Sequence, residues 1–96
     1  MFYTYRQNNS GGFWDSRKYI IVEANTFKDA NTIAEKNTPV YFNGMSKGID
    51  CPCCGDRWRY SYDDGEHFPS KDGKCITDDD TDYAIYYLNG EITEKY

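Results

Sequence analysis

Tyr19-Ile20-Ile21-Val22-Glu23-Ala24-Asn25-Thr26-Phe27-Lys28-Asp29-Ala30 is the stretch that decides the fold class of this 96-residue chain. Tyr19 to Val22 is its most hydrophobic run, and because it is continuous rather than alternating it predicts a central strand covered on both faces. Asn25 or Thr26 then caps a helix. Thr26 and Asp29 have capping-box spacing, with Asp where Glu or Gln is usual. Phe27, Ala30, Ile33 and Ala34 form one apolar stripe facing a sheet, and Lys28, Asp29, Glu35 and Lys36 take the solvated side. Asn37-Thr38-Pro39 ends the helix, since the residue before Pro is pushed out of the α region.

Working outward, Phe2 to Gln7 sets Phe2, Thr4 and Arg6 against Tyr3, Tyr5 and Gln7, a strand with one apolar and one amphipathic face. Asn8 to Gly12 stops it with a polar, glycine-rich loop. Val40-Tyr41-Phe42 reads as a short edge or bulged strand, and Arg57 to Tyr62 as an alternating strand. Glu66 to Lys74 reads as an irregular loop. Tyr83 to Leu88, Asn89-Gly90 and Glu91 to Thr93 form a hairpin signal, with a type I′ turn expected at Asn-Gly. The sum is α+β: one domain over residues 1–96, a mainly antiparallel sheet with one helix on one face and a C-terminal β-hairpin.

Aliphatic residues are scarce, with a single Leu, whereas 18% of the chain is aromatic and ten residues are Tyr. The core must be built largely from rings, with many Tyr half-buried. No signal-peptide pattern or membrane-length apolar run is present, so a cytoplasmic protein with no membrane partner is expected. In a reducing compartment the four cysteines read as thiols or metal ligands. The net charge of −5 argues against nucleic-acid binding. Half of the sixteen acidic residues lie between Asp63 and Asp82, which predicts an acidic, solvated C-terminal face.

Cys51-Pro52-Cys53-Cys54-Gly55 contains a Cys-x-x-Cys pair with the shape of a zinc knuckle. The metal reading takes zinc on Cys51 and Cys54, with Cys75 and His67 as the remaining ligands. Against it stands the plainer reading of reduced thiols in a tight turn. A strand rather than a helix is expected after the motif, which argues against thioredoxin-like chemistry. Asp78, Asp80 and Asp82 have the opening spacing of a calcium loop, but Tyr83 and Asn89 stand where its Gly and Glu are needed.

His67 is the lone histidine and has no nucleophile context, so no catalytic residue is assigned and no enzyme is expected. Arg6, Asn8, Asn9, Ser10, Arg57 and Arg59 have the chemistry to hold an anion or a nucleotide phosphate, with exposed strand-face positions as the ordinary alternative for the arginines. Trp14, beside the polar loop, is either a recognition anchor or a core anchor.

In Phe2-Tyr3-Thr4-Tyr5-Arg6-Gln7-Asn8-Asn9-Ser10-Gly11-Gly12 and Cys51-Pro52-Cys53-Cys54-Gly55-Asp56-Arg57-Trp58, the chain resembles a group of small proteins of tailed bacteriophages and prophages. The resemblance covers roughly the first two thirds of the sequence. The group has no established activity, so no catalytic residue carries across, and Cys75 is not part of the shared pattern. What the resemblance implies is a phage accessory protein in a bacterial cytoplasm. The expected function is non-enzymatic binding that modulates or inhibits a host macromolecule, such as a defence component. Its expected face is Asn8 to Gly12 with Arg6, Phe13 and Trp14, and the acidic Asp78 to Asp82 loop is a second contact. The alternatives are a nucleotide-binding signal sponge and a zinc-stabilised structural module.

Overall fold

The computed structural model describes residues 1–7, 18–50, 55–62, 64–71, 73–77 and 79–95. Its elements are β1 (Phe2–Arg6), β2 (Tyr19–Glu23), α1 (Phe27–Asn37), β3 (Ser70–Lys71), β4 (Lys74–Cys75), β5 (Tyr83–Tyr86) and β6 (Ile92–Lys95). The main sheet has the order β1-β2-β5-β6, and β3 pairs with β4 in a separate two-stranded ribbon. β1 runs antiparallel to β2 and β5 antiparallel to β6, while β2 and β5 are parallel. The fold is α+β with a mostly antiparallel sheet.

The apolar run takes the central position its continuity predicts: Ile20, Ile21 and Val22 are fully buried. On one face Tyr3, Tyr5, Ile20, Val22 and Ala84 pack with Ala30 and Ala34 of α1 and with Phe42 and Trp58. Small side chains at positions 30 and 34 let the helix axis come close to the sheet. On the opposite face Tyr19, Ile21, Tyr83 and Ile85 form a second cluster, with Phe2, Ile76 and Tyr87 against it.

Thr26 is the N-cap, its hydroxyl accepting from the Asp29 N–H at 3.2 Å. At the other end the Thr38 N–H donates to the Ala34 carbonyl at 3.1 Å, just ahead of Pro39. Tyr3, Tyr5, Tyr19 and Tyr83 are more deeply buried than half-exposed rings would be. Tyr5 keeps its hydroxyl satisfied by donating to Asn31 Oδ1 at 2.7 Å. Burial first, and then neighbouring Tyr3, push that phenol well above its ordinary range.

Four local expectations are corrected. No strand forms over 57–62, because Arg57 and Trp58 are both buried, which a half-exposed alternating strand forbids. There the backbone pairs with a side chain instead: Ser61 donates its N–H to Asn31 Oδ1 at 2.8 Å and accepts from Asn31 Nδ2 at 3.0 Å. Val40 and Phe42 are buried by alternation but join no ladder. The segment read as an irregular loop contains the β3–β4 ribbon, turned with Gly73 at φ 85.

The C-terminal hairpin is present without the I′ turn: Gly90 has φ 92, whereas Asn89 is not in the positive-φ region. The Gly90 N–H donates to the Tyr87 carbonyl at 3.0 Å and the Tyr87 N–H to the Glu91 carbonyl at 2.9 Å. This is a three-residue loop closed by a glycine bulge. Asn89 contributes its side chain, with Oδ1 accepting from the Glu91 N–H at 2.9 Å.

Candidate functional site

A buried polar cluster sits where the chain enters and leaves the cysteine segment. Asp50 and Arg57 flank residues 51–56, and Arg57 is only 1% exposed. Asp50 Oδ2 accepts from the Arg57 backbone N–H at 2.7 Å, and Arg57 Nε lies 3.5 Å from Asp50 Oδ1. The Tyr41 hydroxyl donates to Asp50 Oδ1 at 2.6 Å and accepts from Arg57 Nε at 3.0 Å. A nitrogen of the guanidinium fork then donates to Gln7 Oε1 at 2.7 Å. Gln7 is itself buried, directly after β1. Four side chains from three regions of the chain therefore bond to one another around an ion pair almost wholly removed from solvent, the condition under which a buried ion pair holds its geometry.

Gly44 makes room for this clamp. A Cβ there would run into the Asp50 carboxylate and the Tyr41 ring. The Gly44 carbonyl accepts from the Ile49 N–H at 2.8 Å and the Asp50 N–H at 3.0 Å, fixing the turn that delivers Asp50. Burial first, and then the bond to Asp50, raise the Tyr41 phenol above its ordinary range and keep it a donor to the carboxylate.

The segments entering and leaving the clamp carry exposed rings and aliphatics. Tyr60 stacks on buried Phe42, with centroids 4.1 Å apart, and its hydroxyl accepts from Asn43 Nδ2 at 3.1 Å. Tyr62 lies 6.3 Å from Tyr60 and is 72% exposed, and Met45 and Ile49 are also exposed. Arg59, between Arg57 and Tyr60 in the sequence, is exposed.

Of the residues singled out by sequence, Arg6 ends β1 with its side chain exposed, one position before Gln7. Asn8, Asn9, Ser10, Phe13 and Trp14 lie outside the described residues, as do Cys51, Cys53 and Cys54. Arg57 is not an exposed strand-face residue: it is consumed by the clamp. Gln7, Tyr41 and Asp50 were missed as partners. An Asp and an Arg bracketing the cysteines are visible in the sequence, but nothing there shows that they meet.

His67 and Cys75 are both exposed. His67 follows Glu66, which bridges to Phe2 at the start of β1, whereas the clamp joins Gln7 beyond the end of β1. Those positions are five residues apart, roughly 16 Å along a strand. Among the described residues, no group of three or more His, Cys, Asp or Glu is placed to hold a metal ion.

In the acidic loop Asp78 lies outside the described residues, and Asp80 is tied down internally. Asp80 Oδ2 accepts from the Thr77 N–H at 2.7 Å, and Lys71 Nζ lies 3.7 Å from Asp80 Oδ1. The Thr77 N–H first, with Lys71 assisting, holds the Asp80 carboxyl below its ordinary range. Among the described residues no helix is long and apolar enough to cross a membrane.

No curated protein and no solved structure matches the chain. One family does, described as a domain of unknown function (DUF7296) and matched over residues 1–96. The chain that folds into this sheet and clamp therefore belongs to the DUF7296 family.

Proposed function

We propose that this protein is a small accessory protein of bacteriophage type that acts in the bacterial cytoplasm, without catalysis, by binding and modulating a host protein. The observation that carries the reading is the 2.7 Å bond from Arg57 to Gln7. Segment 8–17 follows Gln7 directly, and segment 51–54 ends three residues before Arg57. Gln7 and Arg57 belong to the two distinctive stretches of the sequence, Phe2 to Gly12 and Cys51 to Trp58, and one buried cluster ties these two residues together. Exposed Arg6, Arg59 and Tyr62 stand on the chain beside it. Aromatic and arginine side chains on a rigid base are the usual makings of a binding hot spot.

The nucleotide reading is weakened by the commitment of Arg57 to Asp50, which removes one of its phosphate groups. The zinc module, on Cys51, Cys54, Cys75 and His67, is a third reading. The test is affinity purification of the tagged protein from bacteria, followed by Trp14→Ala, Arg59→Ala and Tyr62→Ala variants checked by thermal melting. A stoichiometric host protein lost in those variants with the melt unchanged supports the proposal. No such protein, together with a melting temperature raised by one of a panel of nucleotides, would replace it with the second reading.

A further inference from the structure

The outer edge of β1 is a ladder begun and not continued. The Gln7 N–H donates to the Lys18 carbonyl and the Ala24 N–H to the Met1 carbonyl, so the odd-numbered positions of this strand turn their backbone groups toward β2. The even-numbered positions turn theirs away. Phe2 shows what that outward edge does: its N–H donates to the Glu66 carbonyl at 2.7 Å and its carbonyl accepts the Glu66 N–H at 2.8 Å, an antiparallel bridge.

Thr4 and Arg6 follow on the same edge, and among the described residues no further bridge is made to them. A groove of about 270 Å³ runs there, lined by Thr4, Arg6, Ser61, Asp64, Glu66 and Gly73 among others. Its character is polar, with backbone donors and acceptors at the strand, exposed carboxylates at Asp64 and Glu66, and exposed Arg6. A groove walled by strand backbone suits main chain better than an apolar ligand.

We propose that the outer edge of β1 at Thr4 and Arg6 takes an extended, proline-free segment of a partner polypeptide, added as a short antiparallel strand in line with Glu66. A Lys or Arg of that segment faces Asp64 and Glu66. The proposal rests on the protein-binding reading above and names the form in which the partner binds.

The probe is a displayed library of random nine-residue peptides, selected against the full chain. Amide hydrogen exchange of the isotope-labelled protein is then followed by NMR with and without a selected peptide. Selected sequences should lack Pro at central positions and carry a central Lys or Arg, and binding should slow exchange at the Thr4 and Arg6 amides.

Thr4→Pro removes an outward N–H, a change edge strands tolerate, together with the hydroxyl bond to the Ser70 carbonyl, and should weaken peptide binding about tenfold or more. Thr4→Val keeps that N–H, loses the hydroxyl bond to the Ser70 carbonyl, and should bind like the parent. Should Thr4→Pro fail to fold, the exchange data on the parent chain decide alone.

The proposal is overturned if the library yields no binder or if peptides bind without protecting Thr4 and Arg6. It is also overturned if those amides are already protected in the free protein in proportion to its concentration, since a second copy would then fill the edge. A host protein that co-purifies and leaves these amides unprotected would sink this inference while leaving the proposed function standing.

Discussion

Replacing Arg57 with Ala tests the clamp directly. The substitution leaves the Asp50 carboxylate buried without its guanidinium and strips Gln7 Oε1 of its 2.7 Å donor. Breaking one partner out of a buried pair costs about 3–5 kcal/mol, because the remaining charge stays desolvated. The bond lost at Gln7 belongs to the same network, so its cost overlaps with that figure and is not added to it.

A chain of this length is stabilised by about 5–14 kcal/mol in all, at about 0.05–0.15 kcal/mol per residue. Arg57→Ala should therefore remove a large fraction of the stability and lower Tm by roughly 12–40 °C. Urea unfolding followed by circular dichroism gives the number. Arg57→Lys should restore less than half of it, since one ammonium cannot reach Tyr41 and Gln7 with the geometry of a planar fork. Raising the salt to about 1 M should hardly change the difference, as a dry pair is poorly screened.

The Asp50→Ala/Arg57→Ala double variant should cost less than the sum of its singles by at least about 1 kcal/mol. A loss below about 1 kcal/mol for Arg57→Ala, or additivity within about 0.5 kcal/mol, would show that the two side chains do not act as a unit.

Two further outcomes are expected. Gly44→Ala should destabilise the fold by about 1–3 kcal/mol through overpacking against the Asp50 carboxylate and the Tyr41 ring, and urea titration beside Arg57→Ala should show the two effects failing to add. Stability should also fall in alkali. Tyr5 and Tyr41 have folded-state pKa values raised above the ordinary phenol value of 10.0. Their contribution is thus complete below that value and lost as pH climbs from it through the raised ones. Phenolate absorbance recorded alongside the unfolding curve checks this. Tyr5→Phe and Tyr41→Phe should each flatten the alkaline limb, and an unchanged limb in both would refute it.

The fold was legible where local chemistry and tertiary context agree. Tyr19 to Val22 had to be central because no polar residue interrupts it, and Thr26 and Pro39 mark the helix ends by mechanisms that work within one turn. It was illegible where a side chain took over the work of a strand. Arg57 to Tyr62 has an alternating pattern, yet its ladder partner is Asn31, a helix residue thirty positions earlier whose amide presents a donor and an acceptor as a strand residue would. Alternation reports which residues can be buried, and says nothing about who supplies the hydrogen bonds. The Asn-Gly turn failed for a related reason: Gly90 alone takes positive φ, and Asn89 serves through its side-chain oxygen.

Arg57 shows the same limit at the site. Read locally, an arginine three residues after a cysteine cluster and two before another arginine looks like part of a basic, ligand-facing pair. Its burial is decided by Gln7, Tyr41 and Asp50, which lie 50, 16 and 7 positions away in sequence. No one of these would hold a guanidinium in the interior. Asp50 neutralises it, Tyr41 bonds both ions, and Gln7 takes a remaining donor, while the absence of a side chain at Gly44 leaves the carboxylate its space. One of the three arginines read as candidates for a ligand is therefore the one that ties Gln7 to Asp50 in the interior. The proposed binding face relies on exposed Arg6, Arg59 and Tyr62 instead. Arg59→Ala should accordingly leave stability within about 0.5 kcal/mol of the parent, as surface substitutions do, while Arg57→Ala loses the fold's anchor along with whatever the anchored face binds.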